Sequence, residues 1–262
     1  MPAGNIPILL EELNRGVLRL TLNRPEARNA LSVELMSTLI DALGGAANNP
    51  QVRVVVIAGA GPGFCAGHDL RELRADQRRE TYERLFAQCS ELMLTIVRLP
   101  KPIIAEVHGV ATAAGCQLVA TCDLAVAAED ARFATPGVNI GLFCSTPMVA
   151  LTRVVGRKVA MEMLLTGELV DAATAKAVGL VNRVVAPERL REAVDNLAGG
   201  IAGKSARILA IGKKAFYRQA ELHLAAAYRY TTEVMTTNML ASDAGEGIDA
   251  FLAKRAPVWQ DR

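Results

Sequence analysis

The stretch "PIIAEVHGVATAAGCQLVATCDLAVAAED", Pro102 to Asp130, carries a strand, a flexible turn, a helix and a second strand in under thirty residues. "PIIAEVHG" (Pro102 to Gly109) is an apolar run of the kind buried on both faces, and "DLAVAAED" (Asp123 to Asp130) is another. Between them "AAGCQLVATCD" (Ala113 to Asp123) reads as a helix opening on small residues, with bare backbone N–H groups at its start. A strand, a crossover helix and a second buried strand predict a parallel sheet.

The same order continues outward. "VLRLTLN" (Val17 to Asn23) alternates like a half-buried strand, "VRVVVIAG" (Val52 to Gly59) is more fully apolar, and "VNRVV" (Val181 to Val185) completes the set. Helices are expected to begin near Ser32, Gln77 and Ala113, with Ser32 as an N-cap. After Pro187 the chain is helix-forming to Phe251, with glycine breaks near 199, 203 and 245. The predicted fold class is α/β with an all-helical C-terminal region suited to docking or oligomerisation.

Composition narrows the function classes. Of 262 residues, 51% are hydrophobic and 21% charged, with a formal net charge of +2, so nothing draws the whole chain toward nucleic acid or a membrane. Five cysteines without a C-x-x-C pair suggest neither a disulfide framework nor a zinc site. "MPAGNIPILLEELNRG" lacks the features of a signal or transit peptide, and no apolar run approaches the roughly 20 residues of a membrane span. The expectation is a cytoplasmic protein without a metal or other cofactor.

Two turns stand out as candidate chemistry. "GAGPGFCAGHDL" (Gly59 to Leu70) follows a buried strand and holds four glycines in nine residues, but it matches neither a dinucleotide fingerprint nor a phosphate loop. "HGVATAAGCQL" (His108 to Leu118) repeats the arrangement of strand, flexible turn and helix start. Each could give one N–H to a carbonyl oxygen, or be no more than a tight turn or close helix packing.

Taken with "NRPEARNALS" (Asn23 to Ser32), "FCAGHDL" (Phe64 to Leu70), "KPIIAEVHGVATAAGCQLVATCDLAVAAEDARFATP" (Lys101 to Pro136) and "FLAKRAPVW" (Phe251 to Trp259), the chain resembles the crotonase superfamily of enoyl-CoA hydratases and isomerases. Around "GHDL", Gln117 and "FATPGVNIGLFCSTP" it resembles in particular the branch of enoyl-CoA hydratase domain-containing proteins of the third type. That resemblance implies a crotonase-like spiral of ββα turns over residues 1–198 and a helical trimerisation region over 199–262. It also implies a homotrimer or dimer of trimers, and an acyl-CoA thioester as substrate or ligand.

By the same resemblance the oxyanion-hole N–H donors are His68 and Ala114, the latter where most relatives have Gly and where a positive φ would strain an alanine. Arg28, Ala66, Gly67, Asp69, Leu70 and Gly115 are the substrate-binding positions, with the Asp69 carboxylate as a loop-fixing acceptor. Lys213, Lys214, Lys254 and Arg255 are candidates for reaching CoA phosphates. Where the family's hydratases carry two catalytic glutamates, this chain has Gln117 and Gly137, neither of which can be a general base.

The sequence therefore argues against enoyl hydration by the two-carboxylate route. His68 is the one histidine in a ligand-facing motif; His108 ends a strand, His223 lies on a C-terminal helix, and Cys144 offers a thiol near the second missing glutamate. Acyl-CoA chemistry at a backbone oxyanion hole is one reading. An acyl-CoA carrier or regulator without catalysis is the other.

Overall fold

A computed structural model describes residues 6–261. The main sheet has six strands: β1 (Leu9–Asn14), β2 (Val17–Leu22), β3 (Val54–Gly59), β4 (Ile103–Val107), then β6 (Leu124–Ala128) and β9 (Arg183–Val185). β1 and β2 form an antiparallel hairpin across Arg15 and Gly16, whose φ angles of 47° and 81° suit the tight turn; every later pairing in this sheet is parallel. A second sheet of three short strands, β5 (Val110–Thr112), β7 (Arg132–Ala134) and β8 (Val170–Asp171), lies to one side.

Period-two alternation sends the two faces of the central strands into two cores. Val55 and Ile57 of β3, with Ile103, Ala105 and Val107 of β4, meet α1 (Val33–Asn48) and α3 (Arg79–Arg98) through Leu35, Leu39, Leu92 and Ile96. Val54, Val56, Ile104 and Val126 face the other way, onto Leu190, Val194 and Ala198 of α8 (Leu190–Ala202). Burial on both faces explains why β3 and β4 read as nearly continuous apolar runs. Ser32 caps α1 as expected, its hydroxyl accepting from Leu35 N at 3.1 Å.

The expected division between residues 198 and 199 falls inside α8, and Ala198 is fully buried against the sheet. Helix α8 thus belongs to the body, and the helical region proper follows it: α9 (Ala206–Ala220), α10 (Leu224–Met239) and α11 (Ser242–Leu252). Helix α9 is tied down by Asp123, which accepts from Lys213 Nζ at 2.7 Å, Tyr217 Oη at 2.8 Å and Ile103 N at 2.7 Å. The tail folds back, Trp259 Nε1 donating to Gly203 O at 2.9 Å.

Leu224, Leu240 and Phe251 of the helical region are left 75%, 84% and 81% exposed, which is unusual for large apolar groups. Among the described residues no helix is long and apolar enough to cross a membrane. The order of strands and helices is the α/β fold with a helical C-terminus expected from the sequence.

Candidate active site

The site is built where β3 and β4 end. The turn after β3 is zipped to β5: Cys65 N donates to Val110 O at 3.0 Å and Thr112 N to Cys65 O at 2.9 Å. Further along, Leu31 N donates to Gly67 O at 2.7 Å and Asp69 N to Leu31 O at 3.3 Å. In a parallel pairing alternate residues turn their amides away, so His68 N–H faces the opposite side.

Across from it, α4 (Ala114–Thr121) begins, and Ala114 N is the first of its uncapped donors. Among the described residues no protein acceptor takes either amide. The two turns touch: a methyl group added at Gly67, whose φ is 97°, would lie 3.3 Å from Ala114 N and 2.8 Å from Ala113 Cβ. Gly115 permits this closeness, since a Cβ there would fall 2.1 Å from Cys65 O.

The strain expected at Ala114 lies one residue earlier. Ala113 sits at φ 50°, ψ −118°, while Ala114 is the first helical residue. This backbone setting costs an L-residue on the order of 1–3 kcal/mol. It rotates the Ala113–Ala114 peptide so that its N–H leads the helix, while Ala113 N donates to Ala134 O at 2.9 Å.

The His68 imidazole is half-buried and packs edge-to-face on Phe86 of α3, with ring centroids 5.6 Å apart. Neither ring nitrogen makes a hydrogen bond of good geometry, although the Leu31 carbonyl is close enough to act on the ring, and the fully buried Thr135 hydroxyl has no partner. Burial pushes the imidazole pKa down, against a weaker pull from the Leu31 carbonyl, and so favours the neutral ring.

Two of the supporting residues, Asn29 and Arg24, were not singled out from the sequence. Asn29, fully buried at φ 55°, donates from Nδ2 to Ala60 O and Gly63 O, both at 2.8 Å. Arg24 Nη2 pairs with Asp69 Oδ2 at 2.9 Å, and Asp69 Oδ1 accepts from Arg71 N at the start of α2 (Leu70–Ala75). Burial alone would raise the Asp69 carboxyl, but the Arg24 bond and the helix-start amides outweigh it and hold it below the usual range. His108 Nε2 lies 2.8 Å from Gly61 O and is a fastener of the first turn. His223 is exposed at the start of α10.

Gln117 is buried on α4, its Oε1 3.9 Å from the Cys89 thiol of α3. Burial pushes Cys89 up to about 12, so that thiol stays a donor. Gly137 lies in a 3-10 turn (Pro136–Ile140) that precedes α5 (Ser145–Val154) in the chain. A Cβ on Gly137 would lie 2.9 Å from Leu142 O and 3.0 Å from Cys144 Sγ, so a side chain there requires these neighbours to shift by a few tenths of an ångström. Burial also raises the Cys144 pKa, which favours the thiol over the nucleophilic thiolate at neutral pH.

Toward the surface, Arg28 and Leu70 are exposed, and the Ala66 amide is spent on Arg28 O at 3.0 Å. The expectation that Lys213 reaches a CoA phosphate is corrected: its ammonium is 7% exposed and donates to Ile96 O, Lys101 O and Asp123. Arg255 is engaged with Glu246 through both terminal nitrogens, whereas Lys214 and Lys254 are exposed.

Comparison with known proteins decides the family. The family model for enoyl-CoA hydratase/isomerase matches residues 12–262. The chain belongs to the enoyl-CoA hydratase/isomerase family. It is 47% identical over 253 residues to the Xenopus laevis enoyl-CoA hydratase domain-containing protein 3, mitochondrial, covering 97% of this chain and 86% of that one.

Among solved structures, this hydratase/isomerase family member resembles an enoyl-CoA hydratase of Mycobacterium smegmatis at TM-score 0.95 and 55% identity, covering 97% of this chain and 99% of that one. The human enoyl Coenzyme A hydratase domain-containing protein 3 superposes at TM-score 0.94 with 44% identity, covering 97% of this chain and 100% of that one. Both likenesses bear out the crotonase fold, and the Xenopus and human relatives bear out the branch read from the motifs. One expectation is overturned: the Xenopus relative is named as a mitochondrial protein, so the cytoplasmic reading is withdrawn.

Proposed function

We propose that this enoyl-CoA hydratase/isomerase family member binds an acyl-CoA thioester, with the thioester oxygen between the amides of His68 and Ala114. The observation that carries the reading is the pair of unclaimed N–H groups brought side by side by Gly67 and Gly115. Donors fixed in a folded turn need no rearrangement as negative charge grows on the oxygen, and each is worth about 10²–10³ in rate. Arg28, Ala66, Asp69 and Leu70 would line the route of the CoA moiety, with Asp69 locking the loop through Arg24. The ligand is a substrate or cargo, and the reading needs no resident cofactor.

The chemistry at that cradle does not run through two carboxylates. The family positions are filled by Gln117 and Gly137, and a positioned acid or base contributes about 10²–10⁴ in rate. Isomerisation or thioester hydrolysis assisted by the cradle alone remains open to such a site. A second reading, acyl-CoA binding without turnover, is supported by the crowding of position 137 by Leu142 and Cys144.

The helical region would complete a homotrimer or a dimer of trimers, which the exposed Leu224, Leu240 and Phe251 support. Light scattering on the purified protein gives that mass directly.

The deciding experiment follows crotonyl-CoA absorbance and, in parallel, calorimetric binding of butyryl-CoA. Binding with hydration near the buffer rate is the expected result. Rapid hydration would overturn the carboxylate argument, and no binding of either ester would overturn the site.

A further inference from the structure

We infer that Asn29, acting together with Arg24, is a positioning residue for the His68 amide: the pair fixes the direction of that donor toward the thioester oxygen without touching the ligand. The inference rests on the acyl-CoA reading above and adds the residues that set the geometry of its cradle.

Its ground is where the amides of the turn after β3 go. Phe64 N donates to His108 O, Cys65 N to Val110 O and Ala66 N to Arg28 O, each at 3.0 Å. The Gly67 amide is directed at the Cys65 sulfur, and Asp69 N donates to Leu31 O at 3.3 Å. From Phe64 to Asp69, only the His68 N–H has no protein acceptor among the described residues. Its direction is set by the other end of its own peptide group. Gly67 O accepts from Leu31 N at 2.7 Å, and in a planar trans peptide the N–H points away from the C=O, so this bond aims the His68 N–H to the opposite side.

The orientation is therefore as firm as the segment that presents Leu31 N. Asn29, two residues earlier, is fully buried at φ 55°, a setting that Asn tolerates better than most residues. Its Nδ2 gives one hydrogen to Ala60 O and the other to Gly63 O, both at 2.8 Å. Its Oδ1 accepts from Arg24 N at 2.9 Å, and its own N donates to Arg24 O at 2.8 Å, which closes residues 24–29 into a loop. Arg24 carries the hold onward, Nη1 donating to Ala30 O at 2.7 Å and Nη2 to Asp69 at 2.9 Å. The glycine turn is thus fixed to one segment at Ala60 and Gly63 before His68 and at Asp69 after it.

The test separates the carbonyl contact from the rest of the ligand. Butyryl-CoA and S-butyl-CoA, a thioether with a methylene in place of the carbonyl, are titrated by calorimetry into the full-length wild type and two variants. Asn29→Gly keeps the left-handed backbone and removes the side-chain bonds. Arg24→Lys keeps the charge, but a single ammonium lacks the fork that holds Ala30 O and Asp69 at once. The wild type is expected to prefer the thioester about tenfold or more, falling to about threefold or less in each variant, with S-butyl-CoA affinity kept within about twofold.

A preference that survives in the folded variants, or a loss shared equally by both ligands, overturns the positioning role and leaves acyl-CoA binding in place. A wild-type ratio near one overturns the cradle and this inference with it, and failure of both ligands to bind overturns the acyl-CoA reading itself. If Asn29→Gly does not fold, Arg24→Lys carries the test, with a second readout in the infrared carbonyl stretch of bound ¹³C-carbonyl butyryl-CoA. That stretch should lie below its free value in the wild type and move back toward it in Arg24→Lys. An unchanged bound frequency overturns the inference.

Discussion

Cys144 Sγ stands 3.0 Å from where a side chain on Gly137 would begin, and the Leu142 carbonyl stands 2.9 Å from the same point. A side chain at 137 would therefore have to push aside two groups from residues just downstream of the turn.

Restoring the family's carboxylates one residue at a time is therefore expected to fail. Gly137→Glu must displace Leu142 O and Cys144 Sγ, and overpacking of this kind costs about 1–3 kcal/mol. Gln117→Glu combined with Gly137→Glu should give less stable protein with no large gain in crotonyl-CoA hydration. Thermal midpoints and the absorbance assay, run on the single and double variants, check both halves. A double variant as stable as wild type, with strong hydration, would contradict the packing argument.

Ala113 pays for the orientation of the Ala114 amide, holding φ 50° and ψ −118° with a Cβ present. Glycine takes that conformation freely, although it adds disorder to the unfolded chain worth about 0.4–1 kcal/mol. The net expectation for Ala113→Gly is a gain of about 1 kcal/mol, or roughly 2–4 °C in a domain of this size. A scanning melt decides the sign. A loss of stability would mean that the Ala113 methyl, which meets Gly67, contributes more by packing than its backbone costs.

Asp123 joins the helical region to the body, accepting from Lys213 of α9, Tyr217 of α9 and the β4 amide of Ile103. The pair is 7% and 17% exposed, so removing one partner leaves the other charge poorly solvated. Lys213→Ala should destabilise by about 2–4 kcal/mol, discounted from the fully buried case for the partial access of water. It should leave the affinity for free CoA unchanged, because the ammonium is turned inward. Denaturant melts and CoA titration read the two outcomes separately.

How much of this was legible in the sequence depends on the range over which each feature is determined. β3, β4 and β6 were readable because runs such as Val54 to Ala58 are buried continuously, β2 was read by alternation, and the short, unburied β9 by its paired valines. β5 and β7 span three residues each and give no period, and β1 buries only Leu9. The glycine-rich turns were readable because their backbone demand is local. Lys213 was not, since its partner lies 90 residues away and an internal lysine looks like a surface one in a sequence. The crowding of position 137 by Cys144 and the stranded ring of His68 are likewise properties of packing, with no local signature.

His68 also fixes a pH dependence whose direction follows from its burial. Desolvation lowers its pKa in the folded protein, so at pH values between the folded pKa and the ordinary histidine value the unfolded chain holds more protons. Stability from this group is therefore complete above about pH 6.5 and is lost as the pH falls toward the folded pKa. Wild-type protein should lose stability between pH 7.5 and 5.5 more steeply than His68→Phe, which has no such proton to bind. Melting midpoints across that range, compared between the two proteins, give the difference. Parallel curves would show that the ring is already solvated or partnered in the folded protein, and a steeper curve for the variant would reverse the assignment of the shift to burial.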